Sequence, residues 1–351
     1  MSATEALDAA RSAPRVPRMI GGTAIAAAVL LVLVVLGAGI GSSFMPPQRV
    51  LKAILGLGSR PDELILWNLR LPRVFLAVAG GAALALAGAI LQRVARNPLA
   101  SPSILGISDG AAVGVVGFLW LFSDDVNALT VSIHWKPVAA MAGAIGFTLI
   151  TGTLTLADRN RGPLGLILYG IAIAALAKAL VTLLMIMGPV YLAGQAMTWL
   201  AGSVGAAHWS DVAILGAVLV LSLPLIALSA RVLAQLRLDA DSARATGLSL
   251  GAAQIAMVAL AVMLTGASVA FVGAIGFVGL IAPHAARRLV GEGGASWLPV
   301  SALLGASLVL AADILARIIA PPIEVPAGAV TAVLGAPLFI LLLIRGRTMR
   351  G

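Results

Sequence analysis

The 351-residue sequence contains no cysteine. Disulfides and thiolate metal sites are therefore excluded. It holds only three lysines, Lys52, Lys136 and Lys178, which follow Leu, Trp and Ala. A phosphate-cradling loop needs Gly-Lys-Ser/Thr, so ATP is not bound by that route. His134, His208 and His284 stand far apart and show no metal-ligand spacing. No nucleophile elbow or carboxylate pair is present, so enzymatic chemistry within the chain is not expected. Charge is also scarce. Charged residues make up 11% and hydrophobic residues 60%, whereas a soluble domain carries about 25% charged residues. The chain reads as an all-α polytopic membrane protein. Its net charge of +9 does not indicate nucleic acid, because the arginines are spread along short loops between apolar runs rather than gathered on one face.

What remains is a series of apolar runs long enough to cross a bilayer. A polar tail, residues 1–18, precedes a first apolar run that is long enough to be a true span and shows no cleavage box, so the N-terminus does not read as a cleaved signal. About ten spans follow, near residues 19–41, 71–93, 103–122, 138–157, 164–187, 211–230, 252–270, 271–290, 298–317 and 326–344. The eighth is apolar but broken by glycine. A short helix is expected around Val50–Leu57. Gly81 and Gly88, and Gly273, Gly276 and Gly279, offer small residues that let helix backbones approach. With the N-terminus inside, fifteen of the 23 Lys and Arg fall on the inner side and seven outside. The positive-inside rule then favours cytoplasmic N- and C-termini. The transmembrane domain is taken as residues 19–347, with 348–351 as a cytoplasmic end.

Several motifs recur in order: RLPR at 70–73, GGAALALAGAILQ at 80–92, RNPLASPSILG at 96–106, GAIGFVGLIAPHAARRLVG at 273–291 and AADILARIIAPPIEVPAGAVTAVLGAP at 311–337. With them the chain resembles the iron-siderophore/cobalamin (FecCD and BtuC-like) family of ATP-binding cassette importer permeases, in wording closest to the ferric dicitrate branch. The resemblance spans nearly all of residues 20–347. It implies a BtuC-like fold with spans 2–5 and 7–10 as an inverted repeat. It also implies separate ATPase subunits, a periplasmic or lipid-anchored binding protein, and a second permease that is either a copy or a paralogue. No cofactor and no nucleic acid are implied. The setting is the bacterial inner (plasma) membrane, in contact with lipid.

The resemblance also assigns residues. Arg70, Arg73 and Arg317 match arginines that meet carboxylates of the binding protein, a contact suited to bidentate guanidiniums. The other reading is interfacial snorkelling, or for Arg317 an i,i+4 pair with Asp313. Residues 231–251 match the loop that couples to the ATPase, with Arg237, Asp241, Arg244 and Gly247 as contact candidates. Ala240 and Thr246 stand where the family has Gly and Leu. Lys178 lies near the middle of the fifth span, where the family has Ser or another small residue. A lysine in hydrocarbon costs several kcal/mol unless it faces water or a partner. It therefore faces either the translocation path, favouring an anionic cargo, or a buried acid such as Asp109 or Asp313. The expected function is permease-mediated import of an iron(III) chelate. Haem or cobalamin is the alternative cargo, and a proton-coupled secondary transporter is the alternative class.

Overall fold

A computed structural model describes residues 16–41, 43–123, 129–158, 162–188, 190–292, 296–319 and 324–348. Among these residues the chain is helical, with no sheet and only an isolated bridge between Ser123 and Leu129. Fifteen α-helices are numbered here in chain order. They are α1 (Val16–Gly39), α2 (Pro47–Ile54), α3 (Arg60–Ile65), α4 (Leu71–Val94), α5 (Ile107–Leu121), α6 (Lys136–Ala157), α7 (Gly162–Met187) and α8 (Val190–Leu200). They continue with α9 (Trp209–Leu228), α10 (Ala230–Gln235), α11 (Ala240–Ala245), α12 (Leu250–Val272), α13 (Val278–Val290), α14 (Trp297–Ile319) and α15 (Ala327–Thr348). Among the described residues, seven helical stretches are long and apolar enough to cross a membrane, while Ile107–Leu121 and Ala327–Ile340 are apolar but shorter.

Helix α4 is the axis of the bundle. The most apolar stretch of residues 60–94 is 89% buried, far more than the corresponding stretches of α1, α6, α7 or α9. Its Gly- and Ala-rich surface explains this position, because small residues admit neighbouring backbones on every side. At Gly81 a Cβ would collide with the Gly305 carbonyl of α14, and at Gly88 with the Gly279 carbonyl of α13. Around α4 the packing is paired. Helix α5 lies on α6 as α13 lies on α14, and α4 meets α14 as α12 meets α6. Helices α4 and α12 touch each other directly.

Two irregular segments shorten the helices that follow them. Residues 97–106 precede α5 and end at Gly106 with φ +76. Gly273–Phe277 precedes α13, with Gly273 at φ +72 and Phe277 at φ +65. The expected eighth span, residues 271–290, is thus not one continuous helix: its first turns are irregular and its helix begins at Val278. A further difference lies ahead of α4. Residues 60–94 run as one rod through a π-turn, Leu66–Arg70. Pro72 has no N–H to give, and the Leu71 amide bonds instead to the Leu66 carbonyl. The short helix α8 lies in residues 188–209, a stretch with no clear periodicity.

Candidate functional site

The charged side chains gather at the two ends of the bundle. At one end stand Arg70, Arg73 and Arg317. All three are turned inward rather than displayed. The last turn of α1 leaves carbonyls without intrahelical partners, and two guanidiniums take them. Arg70 Nη1 donates to the Ala38 and Gly39 carbonyls at 2.9 and 2.8 Å. Arg317 Nη1 donates to those of Gly37 and Ile40 at 3.1 and 3.0 Å. Arg70 also donates to the Ser43 carbonyl. Positive charge at a helix C-terminus is favoured by the dipole as well.

Asp313 of α14, 1% exposed, lies between the other two guanidiniums. It accepts from Arg73 Nε at 2.9 Å and from Arg317 Nε at 3.0 Å, so the i,i+4 pair weighed from the sequence is present. Arg73 Nη1 reaches Glu324 at 2.9 Å. Glu324 is the exposed member of the cluster, with 61% of its side chain accessible against 10% for Arg73. Sequence spacing could not reveal Glu324 as a partner, because it lies 251 residues from Arg73.

At the opposite end stand the two short helices α10 and α11. Asp239 caps α11: its carboxylate accepts from the Ser242 amide at 3.2 Å and hydroxyl at 3.0 Å. The Ser242 hydroxyl, then its amide, and the nearby Arg96 charge hold the Asp239 carboxyl below its usual range. Helix α11 closes with a Schellman motif. The Gly247 amide bonds to the Arg244 carbonyl at 2.9 Å, and that of Leu248 to Ala243 at 3.4 Å. Gly247 takes φ +82, and the space where a Cβ would stand is open to 4 Å. Asp241 and Arg244 pair at 3.0 Å and face outward, 94% and 63% exposed. Arg237 does not face outward in the same way. It bonds back to Glu292, a residue that carried no signal in the sequence.

Lys178 lies apart from both ends. Its side chain is 72% exposed on α7, and its Nζ stands 3.9 Å from Asp109 Oδ1 on α5. A groove of about 910 Å³ runs between α6 and α12, with Arg96 and Arg244 at one end, and Lys178 does not line it. Among the described residues no group of His, Asp and Glu could hold a metal ion.

Residues 29–345 match the model of the FecCD transport family. The chain belongs to that family. It is 45% identical over 328 residues to "Probable siderophore transport system permease protein YfhA" of Bacillus subtilis (strain 168), covering 92% of this chain and 93% of the relative. It is 40% identical to the Fe(3+)-citrate import system permease protein YfmE of the same organism, covering 91% and 93%. Among solved structures it is similar to a metal-chelate type ABC transporter in an inward-facing conformation, with a TM-score of 0.78 and 31% identity over 93% of this chain and 99% of the other. In this FecCD-family chain the motif segments 96–106 and 273–277 are the irregular ones, and 70–73 and 311–319 build the arginine cluster.

Proposed function

We propose that this chain is the membrane-spanning permease subunit of an ATP-binding cassette importer that carries an iron(III) chelate, siderophore or ferric citrate, across the bacterial inner membrane. The observation that supports it most is the match along almost its whole length to a metal-chelate transporter, joined to relatives named for siderophore and ferric citrate transport. The reading has ten spans, with α5, α13 and α15 crossing together with their irregular segments. Non-helical backbone at membrane depth is tolerated where protein or a water-filled path covers it. The paired packing around α4 and α12 suits an inverted repeat of spans 2–5 and 7–10. Both termini are cytoplasmic, which places the α10–α11 pair on the ATPase side and the arginine cluster on the binding-protein side.

Partners follow from this placement. ATP is hydrolysed by separate subunits that meet the outward Asp241 and Arg244, with Gly247 closing the helix that carries them. A binding protein docks at the other end. Of Arg70, Arg73 and Arg317, Arg73 is the one whose present partner is exposed, so a carboxylate of the binding protein can replace Glu324 on it. Arg70 and Arg317 serve docking by holding α1 in place. Lys178 points outward on α7, on the same face as exposed Ile171. Lipid is an unfavourable neighbour for it, so a second permease and the water-filled path between the two subunits cover this face.

Uptake into proteoliposomes with the partner ATPase and binding protein tests the reading. ATP-dependent accumulation of labelled ferric citrate or a ferric hydroxamate is expected. Accumulation of haem or cobalamin instead would change the cargo. Accumulation driven by a pH gradient with no ATPase present would overturn the importer reading.

A further inference from the structure

Adjacent residues of the α10–α11 turn are tied to different helices. The Leu236 carbonyl accepts from Arg96 Nε at 3.2 Å, just beyond the end of α4. Arg237 donates to the Glu292 backbone carbonyl at 2.7 Å, and its Nη2 lies 3.3 Å from the Glu292 carboxylate. Glu292 follows α13 by two residues and reaches back to Arg287 Nε at 3.4 Å. Arg287 donates in turn to Gln92 of α4 at 2.6 Å. The Gln92 amide nitrogen stands 3.2 and 3.3 Å from the Gly279 and Leu280 carbonyls, at the start of α13.

Helix α13 is therefore gripped at both ends. It has 13 residues, with Pro283 among them, and forms a lever about 20 Å long. Its far end passes into Phe277, whose Cβ lies 2.7 Å from where a Cβ on Gly335 of α15 would sit. Displacement of α13 toward α15 would therefore press on it. At the near end Arg287 is itself fixed. Its guanidinium lies 5.1 Å from the Trp297 ring centroid, and that of Arg93 lies 4.9 Å from the same ring. Stacking of this kind holds a guanidinium in one orientation. The Glu292 carboxylate, shared by two arginines, is then a joint between the α10–α11 turn and the lever.

We infer that Glu292 is a positioning residue that transmits movement of the α10–α11 turn to α13, with Arg237 and Arg287 as the two sides of the joint. Asp241 and Arg244 face the partner, and Arg237 roots the turn in the bundle. The inference rests on the importer reading.

The reconstituted complex with its ATPase and binding protein tests it, with uptake and ATP hydrolysis measured together. Glu292→Gln keeps the side chain's size and removes its charge. The complex is expected to assemble and hydrolyse ATP at the wild-type rate, while uptake per ATP falls about two- to fivefold, the range of an exposed ion pair. Arg237→Ala also loses the bond to the Glu292 carbonyl, so uptake per ATP falls by roughly tenfold. Arg237→Lys recovers much of that loss. Because the chain has no cysteine, the double variant Arg237→Cys/Glu292→Cys can be bridged by a bifunctional thiol reagent without background. Uptake per ATP is expected to be low before bridging and to rise after it. Equal losses of assembly, hydrolysis and uptake, with their ratio unchanged in every variant, would overturn the inference. Absence of ATP-driven uptake by the wild-type complex would instead sink the importer reading on which it stands.

Discussion

Arg317 serves two sites at once: the Gly37 and Ile40 carbonyls at the end of α1, and the buried Asp313 that it shares with Arg73. Replacing it with Ala strands the Gly37 and Ile40 carbonyls and leaves Asp313 to Arg73 alone. Breaking a buried pair by removing one partner costs about 3–5 kcal/mol. Arg317→Ala should therefore lower the melting temperature in detergent by several degrees and release α1 from hydrogen-exchange protection. Arg73→Ala should act differently, because it also frees exposed Glu324 as a like charge facing the incoming carboxylates. Weakened capture of the binding protein, out of proportion to any loss of melting temperature, is expected there. Equal effects of the two variants on both measurements would rule out this division. Lys178 gives a second contrast. At 3.9 Å from Asp109 its pairing is loose, and most of its side chain is accessible. Lys178→Ser should leave assembly intact and slow uptake of an anionic chelate about two- to fivefold, the range for one lost and partly screened charge contact. Unchanged kinetics with ferric citrate would remove Lys178 from the path.

The short helix α11 depends on its first and last residues, since six residues carry little stability of their own. Asp239 caps one end and Gly247 closes the other. The sign of the pH effect follows from the lowered folded-state pKa of Asp239. Its contribution is fully present above the ordinary carboxylate pKa of about 3.9 and is lost as pH falls through the lower folded value. Amide exchange across Ala240–Ala245 should therefore stay slow down to about pH 4, after correction for intrinsic rates, and rise below it. Asp239→Asn, which can still cap, should flatten that dependence. A rise centred near neutral pH would implicate another group. The ends of α11 were not drawn from the sequence, where residues 231–251 read only as a loop, although a cap and a closing glycine are local features. The positions of Gly81 and Gly88, by contrast, marked the helix crossings. The destinations of Arg70, Arg237 and Arg73 were not legible. Each lies tens to hundreds of residues from its partner, and a long side chain at an apolar end reads equally well as snorkelling, docking or capping. Glu292 gave no signal for the same reason, since a lone acid in a loop becomes a joint only when two distant arginines converge on it.

For the molecule as a whole, most of the fold follows from scarcity of charge, because a chain so apolar has few ways to bury its backbone other than stacked helices. What composition alone did not resolve is how many helices cross completely, since α5 and α13 are shortened by irregular segments that borrow cover from their neighbours. The topology itself can be measured. The ten-span reading puts the α10–α11 turn on the cytoplasmic side and the loop around Gly56–Gly58, between α2 and α3, on the other. Both sites have open space: no atom lies within 4 Å of a Cβ added at Gly56 or Gly247. A Cβ does strain their positive φ, so the neighbours Leu57 and Ser249 are the better positions for substitution. With no native cysteine to mask, Leu57→Cys should react with a membrane-impermeant maleimide in intact spheroplasts, and Ser249→Cys should react only after the membrane is opened. The two positions are separated by five spans in the ten-span reading, an odd number, so they must report opposite sides. If α5 failed to cross, four spans would separate them and both would label from the same side. Labelling of Leu57→Cys and Ser249→Cys under identical conditions would therefore refute the ten-span arrangement, and with it the assignment of the arginine cluster to the binding protein and of the α10–α11 turn to the ATPase.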